Sequence, residues 1–302
     1  MSPTAIETWL EKLETDGRSP HTILGYARAL ALFSEWHTQT YGDSAFDPAK
    51  VLPKDFKDWV SRQQSVERAR PTTINLRVAA VRKFFAWLHE SGQLTRNPAA
   101  EVRFLDTDKA EFKGLDEKHY KQLSRAVYLD ENLRDIAIFE AMVGAGLRVS
   151  EVLDLQFGDL VIRERDTRDN FSYIIVREGK GSKRRSVPMT KAVKSAFVNY
   201  LQGYTGDTSP QAKLWAGQRG ALSNPSGIHK MLARYARAAK LPDNIPVHAH
   251  TLRHTFAYLF LKKYPGDIRT LADLLGHNDL KTTMRYTAST EADKAAKMAG
   301  ID

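Results

Sequence analysis

Asn97-Pro98-Ala99-Ala100-Glu101-Val102-Arg103-Phe104-Leu105-Asp106-Thr107-Asp108-Lys109-Ala110-Glu111-Phe112-Lys113-Gly114 is the stretch on which the reading of this 302-residue chain turns. Apolar periodicity fails across it, and charged side chains crowd together, as expected of an exposed connection between domains. The break falls near residue 105. It predicts a first domain over 1–104, a linker over 105–114 and a second domain over 115–302.

Upstream of the break the pattern is helical. Ile6, Leu10 and Leu13 recur at helical spacing, as do Ile23, Tyr26, Ala27, Leu30 and Phe33 behind a Ser19-Pro20 start. Pro53 opens a third helix with Phe56 and Val60, and Pro71 a fourth with Ile74, Val78, Val81, Phe85 and Leu88, ending near Gly92. Four helices on short connections describe a compact bundle.

Downstream, helices over 116–128 and 133–143 give way to short β-branched runs: Leu160-Val161-Ile162, Tyr173-Ile174-Ile175-Val176 and Ser186-Val187-Pro188. These predict a small antiparallel sheet. Helical spacing returns over 191–201, 226–239, 252–263, 268–275 and 280–286, with a last Ala-rich stretch at 291–299. That stretch is too short to hold as an isolated helix and needs a surface to dock on. The fold class is therefore mainly α with a small antiparallel β-sheet: a helical bundle followed by an α+β domain.

Composition narrows the chemistry. Without a cysteine there is no disulfide framework, thiolate metal cluster or Cys nucleophile. No apolar run approaches the ~20 residues of a spanning helix, and Met1-Ser2-Pro3-Thr4-Ala5 lacks a signal-peptide pattern. The expectation is a cytoplasmic protein with no membrane partner. Forty-five Lys and Arg against 36 Asp and Glu give a net charge of +9, nearly all of it beyond residue 110. A basic second domain suits a polyanion, although charge alone is equally served by solubility.

Four local signals lie in that domain. Gly146-Leu147-Arg148-Val149-Ser150-Glu151 sets an Arg beside a helix start, which alone reads as a capped helix with a surface Arg. Glu178-Gly179-Lys180-Gly181-Ser182-Lys183-Arg184-Arg185 reads as a hairpin tip with solvated charge and lacks the spacing of a nucleotide phosphate loop. His250-Thr251-Leu252-Arg253-His254 opens a helix. Its two His, with His248, invite a zinc reading, but Thr251 stands where a zinc peptidase helix has its Glu, and Arg253 would set a cation beside the metal. Leu275-Gly276-His277 is followed nine residues later by Tyr286.

Together they form a set for phosphoryl transfer without a metal. Charge developing on the non-bridging oxygens of a phosphodiester has to be stabilised, and the guanidinium forks of Arg148 and Arg253 match phosphate oxygens. Tyr286, with an ordinary pKa near 10, needs a base or a cationic pocket to act as a nucleophile. His250 can be that base, and Lys180 can protonate the leaving alkoxide.

The ordered set Arg148, Lys180, His250-x-x-Arg253, His277 and Tyr286, in boxes reading Gly-Leu-Arg-Val-Ser-Glu, Gly-Lys-Gly, His-Thr-Leu-Arg-His and Leu-Gly-His, resembles the tyrosine recombinase (phage integrase) family, in particular its short Xer-like members. The likeness runs over nearly the whole chain. Ser19-Pro20-His21-Thr22 to Tyr26 and Thr73 to Leu88 fall where helices of the family's core-binding (SAM-like) domain lie.

The resemblance implies a site-specific recombinase. In it Tyr286 attacks the scissile phosphate, forms a 3′-phosphotyrosyl bond and frees a 5′-hydroxyl, and strands exchange through a Holliday junction without metal, ATP or other cofactor. Arg148 and Arg253 clamp the phosphate, Lys180 is the general acid, His250 the general base, and His277 bonds a phosphate oxygen. Glu151 matches an acidic position where a carboxylate orients His or Arg side chains. A polar insertion at 163–170 unsettles the placement of Lys180, and Lys183 is the competing residue. The implied partners are double-stranded DNA bearing a recombination site and, in the synaptic complex, a homotetramer or a paired recombinase, joined through the tail at about 290–302. Arg77, Arg82 and Lys83 in the first domain, and Lys183, His229, Lys230, Arg234 and Arg237 in the second, are candidate DNA contacts. The rival readings are type IB topoisomerase-like relaxation, a DNA-binding accessory protein on the same fold, and a metal-dependent hydrolase using the His cluster.

Overall fold

The computed structural model describes residues 4–107, 114–177, 184–217, 220–222, 224–277 and 283. Lys180, Lys183, Tyr286 and the tail from 290 lie outside the described residues. The chain divides between Lys109 and Ala110 into two compact units. It is mostly helical, with a three-stranded antiparallel sheet in the second unit.

The first unit is built from α1 (Ala5–Thr15), α2 (Pro20–Tyr41), α3 (Pro53–Ser65) and α4 (Pro71–Glu90). Thr4 and Glu7 close a capping box at α1, and the Ser19 hydroxyl accepts the Thr22 N–H ahead of Pro20. Gly42, at φ +70°, ends α2 in the left-handed conformation a helix C-terminus favours. The amphipathic faces meet on a core of aromatics. The Phe33 ring stacks on Phe56 at 5.2 Å and meets Trp59 edge-on at 5.0 Å. Leu105, placed by sequence at the start of the linker, is tied back to α4. Its N–H donates to Asn75 Oδ1 at 2.8 Å and its carbonyl accepts Asn75 Nδ2 at 2.9 Å.

The second unit begins with α5 (Glu117–Leu129) and α6 (Leu133–Val143). Leu133 and Arg134 apart, every residue of α6 is buried, so it forms the axis of the domain. Next come α7 (Val149–Asp154) and the sheet β1 (Leu160–Val161), β2 (Tyr173–Val176) and β3 (Arg185–Pro188), paired in the order β1-β2-β3. Ile174 faces Leu160 on one side and Val187 on the other, and Ile174, Val176 and Val187 turn inward while their neighbours do not. The β1–β2 connection that carries the polar insertion is organised by Asp166, which accepts from the Ser172 N–H and hydroxyl and pairs with Lys194.

Then follow α8 (Lys191–Gln202), a two-stranded ribbon of β4 (Ala216–Gly217) and β5 (Gly220–Ala221), α9 (Pro225–Ala238), α10 (Ala249–Lys263) and α11 (Ile268–Leu275). The ribbon escapes sequence pattern because its strands are only two residues long. Helix α10 starts three residues earlier than its apolar periodicity. The Thr251 hydroxyl accepts the His248 N–H and donates to the Pro246 carbonyl, which caps the turn. Helix α11 packs on α10 through Ala257, Leu271 and Leu275. No helix among the described residues is long and apolar enough to cross a membrane.

Candidate active site

Arg148 is the N-cap residue of α7. Its N–H donates to Glu151 Oε2 at 2.8 Å and its Nη1 to Glu151 Oε1 at 2.7 Å, so the carboxylate that caps the helix also aims the guanidinium. Nη2 reaches the Gly276 carbonyl at 3.3 Å, and about a third of the side chain stays open to solvent.

Arg253 comes from the first turns of α10 and is buried. Its Nη1 donates to the Gly146 carbonyl at 2.6 Å and its Nη2 to the Leu275 carbonyl at 2.6 Å. Nη1 also stands 3.7 Å from Glu151 Oε2, so the Glu151 carboxylate faces both arginines. Gly146 has φ +67°, and a Cβ there would lie 2.5 Å from the Phe256 ring. Only glycine lets the backbone turn here and present its carbonyl to Arg253.

His277 follows the Gly276 cap of α11. Arg253 Nη2 donates to its Nε2 at 3.1 Å, and Thr283 Oγ1 lies 2.8 Å from its Nδ1. A guanidinium only donates, so Nε2 carries the lone pair and Nδ1 the proton, directed at Thr283. Desolvation and then the charges of Arg253, Arg148 and Arg185, partly offset by Glu151, lower the pKa of His277 to about 4. Its ring is neutral at pH 7, and both nitrogens are engaged.

His250, the second residue of α10, is exposed. The protein atoms around it still cost its imidazolium hydration, and Arg253, Arg148, His229 and His248 add their charges, so its pKa falls below the usual value. A neutral imidazole is the form that accepts a proton.

The structure thus brings Arg148, Glu151, His250, Arg253 and His277 to one place, at the ends of α7, α10 and α11. It adds a residue the sequence reading assigned to solvated charge. Arg185, at the start of β3, has its side chain nearly buried. Its Nη1 and Nη2 donate to the two Glu151 oxygens, each at 2.9 Å, and its Nε to the Leu274 carbonyl at 2.9 Å. Strand alternation could have signalled it, since Arg185 shares a face with buried Val187. Burial pushes the Glu151 carboxyl up, but Arg185 and then Arg148 more than reverse this, and its pKa lies at about 2.

Residues 113–293 match the phage integrase family, and residues 6–92 match the phage integrase N-terminal SAM-like domain. The chain belongs to the phage integrase family of tyrosine recombinases. Its relatives include the tyrosine recombinase XerC of Mesorhizobium japonicum, 32% identical over 94% of this chain and 90% of the relative, and that of Alcanivorax borkumensis, 32% identical over 93% and 88%. The fold is shared with the Tn1549 transposon integrase in complex with circular intermediate DNA (TM-score 0.75, 21% identity, 98% and 99% of the two chains). It is shared also with the XerH recombinase bound to its difH substrate (TM-score 0.71, 19% identity, 100% and 85%). As a tyrosine recombinase the chain is a site-specific recombinase, with the arginine cluster in its phage integrase domain.

The remaining candidate contacts of this recombinase differ in how their charge is used. Arg77 donates to Gln63 and pairs with Glu67 at 2.8 Å. Arg82 lies over the Phe104 ring at 5.0 Å, and Lys83 donates to the Tyr26 hydroxyl at 2.8 Å. Arg234 pairs with Asp135 at 2.8 Å and Asp130 at 3.2 Å. His229, Lys230 and Arg237 are exposed on α9 and, with His248, line one groove of about 590 Å³. Among the described residues no three His, Asp or Glu side chains group to hold a metal ion.

Proposed function

We propose that this recombinase binds double-stranded DNA at a specific site, and that Tyr286 cleaves it through a 3′-phosphotyrosyl intermediate that resolves by strand exchange through a Holliday junction. The observation that carries this reading is the convergence of Arg148 and Arg253 on Glu151, with His277 bonded to Arg253 and His250 within the field of both arginines. One carboxylate facing that many guanidiniums leaves a surplus of positive charge, which suits a phosphodiester.

In the proposed reaction the Tyr286 hydroxyl attacks phosphorus. Its proton passes to His250, the P–O5′ bond breaks, and Lys180 protonates the departing 5′ oxygen. Arg148 and Arg253 hold the non-bridging oxygens. A phosphate that draws Arg253 towards itself also releases His277 Nε2, and its negative charge raises the pKa of His277, which then donates a hydrogen bond to a phosphate oxygen. The new phosphotyrosyl ester conserves the bond energy, so rejoining with a partner strand needs no nucleotide. The XerC relatives and the DNA-bound structural neighbours support site-specific recombination on DNA. Assembly as a tetramer through the tail at 290–302 belongs to the same proposal.

The test is a nicked suicide duplex carrying a site from the source genome, incubated in EDTA with wild-type protein and Tyr286→Phe. A covalent adduct from the wild type alone is the expected result. An adduct from the Phe variant, or one abolished by EDTA, overturns the assignment.

A further inference from the structure

We infer that Arg185 is a positioning residue of the cleavage site, fixing Glu151 and through it the Arg148 guanidinium, and fastening the start of β3 to the end of α11. The inference rests on the strand-cleavage reading above. Glu151 divides its oxygens between two arginines. Oε1 accepts Nη1 of Arg148 and Nη1 of Arg185, and Oε2 accepts the Arg148 N–H and Nη2 of Arg185. Arg148 alone would leave the carboxylate free to rotate about the helix end, because both of its bonds come from the same residue. The Arg185 fork arrives from 34 residues away in sequence and sets the carboxylate plane.

Arg185 is placed to position rather than to bind phosphate. Its side chain is 10% exposed against 32% for Arg148, and its donors are directed into the protein, at Glu151 and the Leu274 carbonyl. Gly276 makes room for it. A Cβ at that position would stand 2.8 Å from Arg185 Nη1, and φ there is +64°. The Gly276 carbonyl in turn accepts Arg148 Nη2, and His277 comes next in the chain. Arg185 therefore touches two of the segments that carry the site, α7 at Glu151 and the end of α11 at Leu274 and Gly276. In sequence Arg185 lies five residues beyond Lys180, so the fork fixes the start of β3, the strand that follows the segment from which the general acid is proposed to act.

The experiment measures adduct formation on the suicide duplex at saturating protein, with DNA affinity by mobility shift and thermal unfolding as controls, for the wild type, Arg185→Gln, Arg185→Lys, Glu151→Gln and the Arg185→Gln/Glu151→Gln double variant. Arg185→Gln is expected to cleave about 10–100-fold more slowly, with affinity changed by less than about threefold, well under the 1.4 kcal/mol of a tenfold effect. Lysine keeps the charge but not the fork, so Arg185→Lys is expected to recover little of the rate. In the Glu151→Gln background the Arg185 substitution is expected to cost little more, since its effect passes through that carboxylate. The acid limb of the cleavage profile moves upward in Arg185→Gln, because Glu151 then faces only Arg148, Arg253 and the His277 ring. Should Arg185→Gln fail to fold, Arg185→Lys and its Glu151→Gln double variant carry the same comparison.

Wild-type rate in the Arg185 variants, a loss confined to affinity, or a full additive loss in the Glu151→Gln background each overturns the inference. Absence of any wild-type adduct overturns the strand-cleavage reading instead.

Discussion

Arg253 Nη2 donates to Nε2 of His277, 3.1 Å away, and thereby sets the tautomer of a histidine whose ring is kept neutral by burial and then by the surrounding arginines. The site is in this sense tuned by its own positive charge. Whatever anion enters it relieves the repulsion felt by an imidazolium at either His250 or His277, so binding an anion and protonating a histidine favour each other.

His277 is expected to titrate near pH 4 in the free protein, against an ordinary value of 6.5. A lowered folded-state pKa means that the unfolded chain binds the extra proton first. The stabilisation from a neutral His277 is therefore present above pH 6.5 and is lost as pH falls from there towards 4. Urea unfolding at pH 7 and pH 5 should show the wild type losing about 1 kcal/mol more than His277→Gln, a figure reduced for the solvent around the half-buried ring. Equal losses would contradict it. Nitrogen chemical shifts of the ring give the pKa directly.

Glu151 behaves with the opposite charge and the same direction of loss. Its pKa of about 2 lies below the usual 4.5, so its contribution is complete above pH 4.5 and disappears as pH falls through 2. Glu151→Gln leaves Arg185 nearly buried without its counter-charge and is expected to cost about 3 kcal/mol at pH 7. That difference from the wild type should narrow in denaturant titrations below pH 4.

Gly146→Ala is expected to destabilise the second unit by about 2–4 kcal/mol, because an L side chain must adopt φ +67° and press into Phe256. The shift in the Gly146 carbonyl also displaces Arg253, so cleavage should fall by more than the loss of folded protein explains. Denaturant midpoints and adduct rates measured side by side separate the two effects.

On α9 the charges at 230 and 234 should behave differently towards DNA. Lys230 is exposed, whereas Arg234 is paired with Asp135 and Asp130. Lys230→Ala is expected to reduce the salt slope of binding by about 1. Arg234→Ala should leave that slope nearly unchanged and lower the melting temperature instead, since it strips the buried Asp135 of one of its cations. Equal slopes for the two variants would show that the ion pairs on Arg234 open when DNA binds.

In the first unit, Phe33→Ala removes the ring that touches Phe56, Trp59 and Phe85, and should cost about 3–5 kcal/mol. Thermal unfolding monitored by tryptophan emission reports it, because Trp9, Trp36, Trp59 and Trp87 all lie in or against that core.

Helices α1 to α4 were legible from apolar spacing and from Ser19, Pro20, Pro53 and Pro71, because capping and φ restriction act within a few residues. The sheet was legible from its β-branched runs. The boxes around Arg148, Arg253 and His277 could be read because each carries its chemistry within a short segment, and their likeness to the phage integrase family supplied the order. Arg185 could not be read in the same way. Within the run Ser182-Lys183-Arg184-Arg185 every cation looks solvated; alternation with Val187 is a weak local signal for Arg185, and its pairing with Glu151 is set by the tertiary structure.

By itself, then, the sequence determined which segments become helices or strands and which residue types were available for phosphate chemistry, since propensity, capping and composition are local. Tertiary structure decided which cations face one another. Glu151 joins Arg148, three residues away, to Arg185, 34 residues away, and to Arg253, a hundred residues on. Such a cluster forms only when burial brings distant segments together and the cost of desolvating their charges is met by mutual pairing.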